Sequence, residues 1–161
     1  MRTLTAFATG LLVGAAAMAV GAQANRLDGN SGVNHVGIAV ERMDEAIAYY
    51  TKTFGFGEAA VLRDDQGQPT LAFLQVSRNT FIELSPATAE RPAGLNHFGL
   101  QVDDVEAATA TLRQRGAEIE APRPGRTISF ITSTNAPSGV RIELSEIGPD
   151  SMLGKAIASW R

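Results

Sequence analysis

The chain contains no cysteine. Disulfides, thiolate metal ligands, thiol nucleophiles and a lipid-modified cysteine anchor are therefore all excluded. A domain of this size needs no such staple, because folding buries roughly two-thirds of the surface that the unfolded chain exposes. Histidine is almost as scarce. With only two in 161 residues, any imidazole chemistry falls to His35 and His97. Lysine and arginine number 14 against 17 acidic residues, a net charge of −3. The basic residues are scattered, with no stripe or cluster, which argues against a nucleic-acid partner. One long apolar run is present, Leu4 to Val20, preceded by Arg2 and followed by Ala22-Gln23-Ala24. That arrangement reads as a signal peptide over residues 1–24, cleaved after Ala24, which predicts a periplasmic or secreted chain. The alternative is an uncleaved anchor. The run is about as short as a bilayer span can be, and its glycine and alanine weaken the apolar drive. No stable membrane insertion is expected after cleavage.

What the chain does have is a duplication. Asn34-His35-Val36-Gly37-Ile38-Ala39-Val40 returns 62 residues later as Asn96-His97-Phe98-Gly99-Leu100-Gln101-Val102. Phe81-Ile82-Glu83-Leu84-Ser85 returns 60 residues later as Arg141-Ile142-Glu143-Leu144-Ser145. Each unit thus delivers one histidine and one glutamate at matching positions.

Periodicity organises the rest. Residues 25–32 are polar and read as a flexible leader. Val33 to Val40 alternates as a strand, and Met43, Ala46, Ile47 and Tyr50 fall at helical spacing up to Phe54, with Gly55 and Gly57 as the stop. Strands are predicted over Glu58–Arg63, Thr70–Val76 and Thr80–Ser85, separated by the turns Asp64-Asp65-Gln66-Gly67 and Ser77-Arg78-Asn79. Residues 86–94, with two prolines and a glycine, form the linker. The pattern then restarts with a strand Leu95–Val102 and a helix Val105–Arg115, capped by Asp103 or Asp104 and stopped by Gly116. Strands are predicted near Ala117–Ala121, Thr127–Thr132 and Val140–Glu146. The chain is therefore α+β, with two tandem βαβββ modules, 33–85 and 95–146. A helical tail within 147–161 would pack against the body, anchored by Trp160.

Alternation also sorts the faces. Val36, Ile38 and Val40, like Phe98, Leu100 and Val102, suit the side packed under a helix, which sends His35 and His97 to the opposite side. The same phase places Ile82, Leu84, Ile142 and Leu144 under the helices and turns Glu83 and Glu143 to the side of the histidines. A buried carboxylate is costly without a partner, and one shared cation would supply it. Two imidazoles and two carboxylates suit nickel, zinc, cobalt, manganese or ferrous iron, rather than calcium or cuprous copper. An octahedral shell would leave room for substrate oxygens.

These motifs resemble the vicinal oxygen chelate superfamily: glyoxalases, methylmalonyl-CoA epimerase, extradiol dioxygenases, and the fosfomycin- and bleomycin-resistance proteins. The resemblance rests on His35-Val36-Gly37-Ile38-Ala39-Val40, Ala46-Ile47-Ala48-Tyr49-Tyr50, Phe54-Gly55-Phe56, the His97-Phe98-Gly99-Leu100 restart and the two Ile-Glu-Leu strands. It covers residues 33–146 and implies a curved, U-shaped mixed sheet around a cavity. It also implies one divalent metal held by His35, Glu83, His97 and Glu143, the glyoxalase-like set; epimerases offer a similar set in which the second position can be glutamine. Extradiol dioxygenases and fosfomycin-type transferases use three ligands, and bleomycin-type binders lack the set.

What the resemblance implies for function is a lyase or isomerase acting on a small 2-oxo or 2-hydroxy carbonyl substrate. The metal would stabilise a developing enolate, and Glu143 or Glu83 would serve as the base. Arg141 or Gln101 would hold a substrate carboxylate or hydroxyl. The alternatives are a non-catalytic small-molecule binding or resistance protein and an iron-dependent extradiol-type dioxygenase. Arg123-Pro124-Gly125 is reminiscent of epimerases. Export is a departure, because coenzyme A thioesters belong to the cytoplasm. A homodimer is expected, with the site built either within one chain or by swapped modules across two.

Overall fold

A computed structural model describes residues 26–161; the expected signal peptide lies outside the described residues. The first module contains β1 (Gly32–Val40), α1 (Met43–Thr53), β2 (Gly57–Arg63), β3 (Pro69–Ser77) and β4 (Thr80–Pro86). The second contains β5 (Gly94–Gln101), α2 (Val105–Gln114), β6 (Arg123–Pro124), β7 (Phe130–Asn135) and β8 (Arg141–Glu146), and α3 (Met152–Ser159) closes the chain. All eight strands join one mixed, curled half-barrel sheet in the order β2-β3-β4-β1-β5-β8-β7-β6. The order reads as two matching halves meeting at a seam. Within each half the first strand pairs parallel to the last, β1 with β4 and β5 with β8. Across the seam β1 and β5 run antiparallel, with His35 opposite Gly99 and Gly37 opposite His97.

Alternation decides which face each side chain takes. Ile38, Val40, Ala72, Leu74, Ile82 and Leu84 form the face that α1 covers with Met43 and Ile47. Leu144 and Val102 meet Val105, Ala108 and Leu112 of α2 in the same way. Full burial of each such leucine or valine contributes about 1.5–3 kcal/mol. The other face carries Ala60, Leu71, Phe73 and Phe81, and α3 lies against them through Leu153, Met152, Ala156 and Ile157. The tail is a packing helix, as expected, but Leu153 anchors it. Trp160 is the half-buried C-terminal cap and stands outside that cluster.

Caps define the helix starts. Asp104, one of the two expected caps, accepts from the Ala107 amide at 2.8 Å, and Ser151 accepts from the Gly154 amide at 2.9 Å. For α1, Arg42 at the N-cap makes no capping hydrogen bond and pairs instead with Glu45 at 2.6 Å, and Asp44 and Glu45 in the first turn complement the helix dipole.

Two expectations fail in the second module. Ala117–Ala121 is not a strand: only Ile119 bridges Thr134, and the outermost strand shrinks to Arg123–Pro124. Pro122 and Pro124 have no N–H to give to a ladder, which leaves little to pair there. The following strand starts at Phe130 instead of Thr127, because Gly125–Ser129 is consumed by a tight turn. In that turn the Gly125 amide donates to Ser129 O at 2.7 Å and the Ile128 amide to Gly125 O at 3.2 Å.

The described part of the expected loose leader is tied down. Ser31 N donates to Gln101 O at 2.9 Å, Asp103 N donates to Gly29 O at 3.1 Å, and Leu27 packs on the α2 cluster.

Candidate metal centre

His35 and Glu83 stand on neighbouring parallel strands, as do His97 and Glu143, and the antiparallel seam brings the two pairs together. Each of the four offers one ligand atom, and all four atoms lie within 4.8 Å of one another. The two Nε2 atoms are 3.1 Å apart. Glu83 Oε2 lies 3.5 Å from His35 Nε2 and 3.4 Å from His97 Nε2, and Glu143 Oε1 lies 3.7 Å from His35 Nε2. One chain thus assembles the whole quartet, without residues from a second copy.

Two features that the sequence reading left without a role hold the rings in place. The first is the asparagine before each histidine. Its side chain should point away from the histidine's face, but the pairing between β1 and β5 slips at both places: Val33 faces Leu100 and His35 faces Gly99, while Gly37 faces His97 and Ile38 faces Leu95. Asn34 and Asn96 are the extra residues of two symmetric bulges, which re-aim their side chains. Asn34 Oδ1 lies 2.8 Å from His35 Nδ1 and Asn96 Oδ1 lies 2.9 Å from His97 Nδ1. An amide oxygen can only accept, so on this assignment each Nδ1 carries its proton and each Nε2 presents a lone pair. The repeated Asn-His dipeptide was the signal.

The second feature is the glycine pair. A Cβ on Gly37 would overlap the His97 ring, and a Cβ on Gly99 would overlap the His35 ring. Each imidazole therefore lies over the bare backbone of the other module.

Electrostatics separates the four. His35 is 1 % exposed. Burial pushes its pKa from 6.5 down to about 4 against the pull of Glu83, with His97 and Arg141 adding to the depression. It is neutral near pH 7. Burial alone would raise the Glu83 carboxyl, but the adjoining imidazoles of His97 and His35 and the charge of Arg141 outweigh it and hold it below the usual range. Burial and then the Glu83 charge raise Glu143, against Arg141, His97 and Ser145. On that tautomer assignment two lone-pair nitrogens stand 3.1 Å apart with no proton between them, and they repel. That separation is about what two donors on one ion with bonds of about 2.1 Å would show. The donor set therefore fits a divalent transition ion, held by His35, Glu83, His97 and Glu143.

The remaining candidates part company. Arg141 belongs to the site: its Nη2 donates to Glu143 Oε2 at 2.8 Å, and Ser145 Oγ donates to the other oxygen at 3.2 Å. Gln101 ends β5 opposite Ser145 and is not among the residues lining the cavity. That cavity, of about 210 Å³, opens above His35, Glu83 and Glu143, with Phe73, Leu71 and Leu153 on its apolar side.

Residues 34–132 match the family described as the Glyoxalase/Bleomycin resistance protein/Dioxygenase superfamily. The chain belongs to this superfamily. Its relatives include the mitochondrial methylmalonyl-CoA epimerase of Dictyostelium discoideum, 28 % identical over 130 residues that span 71 % of this chain and 77 % of that one. The solved methylmalonyl-CoA epimerase of Mycobacterium tuberculosis is 30 % identical, with a TM-score of 0.65 over 77 % of this chain and 93 % of its own. A Streptomyces coelicolor methylmalonyl-CoA epimerase variant in complex with 2-nitronate-propionyl-CoA is 26 % identical, with a TM-score of 0.59 over 72 % of this chain and 94 % of its own. Members of this vicinal oxygen chelate superfamily bind a divalent metal, and the quartet here is a possible site for one.

Proposed function

We propose that the chain is an exported, metal-dependent isomerase or lyase of glyoxalase type that moves a proton at a carbon beside a carbonyl or carboxylate. The observation that carries this reading is the meeting of two imidazole nitrogens and two carboxylates within 4.8 Å beneath a cavity. The epimerase relatives support it, because epimerisation is proton transfer at carbon. Glu83, close to both histidines, argues for four protein ligands and against the three-ligand dioxygenase arrangement. An exported enzyme would meet no pool of coenzyme A thioesters, so the substrate proposed is a free 2-oxo or 2-hydroxy carbonyl compound.

When bound, a divalent ion supplies Lewis-acid polarisation of the substrate's neighbouring oxygens, which makes the adjacent C–H more acidic. The protein's own residues do the rest. His35 and His97 present fixed lone pairs, and Glu83 adds a charge shared between them. Glu143 is gripped by Arg141 and Ser145, so one of its oxygens can turn to the substrate while the carboxylate stays hydrogen-bonded. That oxygen takes the proton and returns it. Phe73, Leu71 and Leu153 keep bulk water from the reacting carbon.

The test is incorporation of solvent deuterium at that carbon, measured by mass spectrometry on metal-loaded protein. Substrates would be 2-oxo acids and adducts of a 2-oxoaldehyde with a thiol. Glu143→Gln is expected to slow incorporation by about 10²–10⁴-fold while the protein still folds. No incorporation by the wild type with any of them would end this reading.

A further inference from the structure

The cavity above the quartet is basic, in a chain whose net charge is −3. Arg91, Arg123, Arg126 and Arg141 all line it. They converge from three places: the linker, the turn at β6 and the start of β8. Only Arg141 has a carboxylate partner there, at 2.8 Å. Among the described residues, no salt bridge reaches Arg91, Arg123 or Arg126.

The ordinary explanation for rim arginines is that water solvates them, and it suffices for Arg123. It does not suffice for Arg91. Its Nη2 donates to Pro86 O at 2.8 Å, but its Nε is buried with no partner at all. A buried, charged donor left unmet is expensive to keep and marks a place for an acceptor. Arg126 is held rather than free: its guanidinium donates to Thr70 O at 3.0 Å and Thr70 Oγ1 at 2.5 Å. Those bonds pin the β6 turn of one module to β3 of the other and fix a positive charge at the cavity wall, with no acid to offset it. A divalent ion in the quartet would cancel Glu83 and Glu143 and leave the arginine charge standing.

Volume narrows what could meet that charge. The cavity measures about 210 Å³. This suits a short acid seated against the quartet. Given the proposed function above, on which this inference rests, the chelating oxygens of the substrate would face the quartet. We propose that the substrate is a short free acid carrying a second anionic group, carboxylate or phosphate, and that Arg91 and Arg123, with Arg126 behind them, select for that group.

The test is calorimetric titration of zinc-loaded protein with matched pairs: pyruvate against 2-oxoglutarate, and glycerate against 3-phosphoglycerate. The member with the additional anion is expected to bind at least tenfold more tightly in one pair, and the better pair identifies carboxylate or phosphate. In Arg91→Gln/Arg123→Gln the preference should vanish while zinc content and pyruvate affinity hold. Arg123→Gln alone, at an exposed position, should already reduce the preference and guards against misfolding of the double variant. Equal affinities within both pairs would overturn the proposal, as would a preference that survives in the double variant. Coenzyme A binding with the same arginine dependence would also overturn it, since the charge would then read a thioester's distant phosphates. If the pairs discriminate but no deuterium exchange occurs, the reaction fails and the anion site stands. If exchange occurs without discrimination, the reverse holds.

Discussion

The ring of His35 occupies the space that a side chain on Gly99 would need, across the antiparallel seam between the two modules. The same is true of His97 over Gly37. The duplicated His-x-Gly motif is therefore one device used twice, in which each module supplies an imidazole and the bare backbone that the other imidazole requires.

Gly99→Ala should accordingly act on His35 more than on the strand. The added methyl collides with Cε1 and Nδ1, so the ring must turn away from Asn34 and from the quartet. Forcing an extra carbon into a packed site costs about 1–3 kcal/mol. Metal affinity is expected to fall at least tenfold, with a modest loss in thermal unfolding temperature. Full metal content by elemental analysis in the variant would contradict this arrangement.

Asn34 and Asn96 make a sharper test, because they touch the ligands without being ligands. Removing such an outer partner lowers metal affinity by about 10–100-fold in comparable sites. Asn34→Ala is expected to do so, whereas Asn34→Asp keeps an acceptor at Nδ1 and should retain most of the binding. Competition with a chromophoric chelator would measure both. Equal losses in the two variants would mean that the residue acts through packing alone, not by fixing the tautomer.

The duplication made much of this site legible in the residues. Alternation in Val36-Gly37-Ile38 and in Ile82-Glu83-Leu84 is a local property, so the face of each histidine and glutamate followed from strand geometry. The bulges at Asn34 and Asn96 were not legible. A bulge is a slip between two strands, and neither strand's own sequence announces it. The lost strand near Ala117–Ala121 has a similar origin: alternation was visible, but Pro122 and Pro124 limit what the outer edge can pair. Trp160 attracted the role of tail anchor because it is large, yet the helical phase turns Leu153 onto the sheet instead.

Leu153 offers a test of how the tail shapes the cavity. It is 2 % exposed, packs with Phe73, Phe81 and Leu71, and also lines the cavity. Leu153→Ala should cost about 2–5 kcal/mol through lost burial and the void left behind. It should also widen the cavity on its apolar side, so a bulkier small-molecule ligand should gain affinity relative to a compact one. Chemical denaturation and competitive binding would read the two effects. A loss below about 1 kcal/mol would show that α3 is only loosely applied.

Burial of His35 makes one contribution to the stability of the metal-free protein acid-sensitive. His35 has a folded pKa of about 4 against 6.5 in the unfolded chain. Between those values the unfolded state binds more protons, so stability rises with pH up to about 6.5 and is lost as pH falls toward 4. The full span is worth about 3 kcal/mol for a group so deeply buried. Glu143 runs the other way. Its raised pKa means that the folded state binds more protons above 4.5, so its contribution is lost as pH rises past that value. Glu83, held low, matters only in stronger acid, where stability falls as it protonates. In metal-free wild type the first two slopes oppose each other from pH 4.5 upward. Glu143→Gln removes one of them, and urea unfolding of that variant should then show stability climbing toward pH 6.5. Adding His35→Gln should flatten the curve again. A flat profile in the single variant would mean that His35 is not held neutral by its surroundings, and the lone pair that it is argued to present would lose its basis.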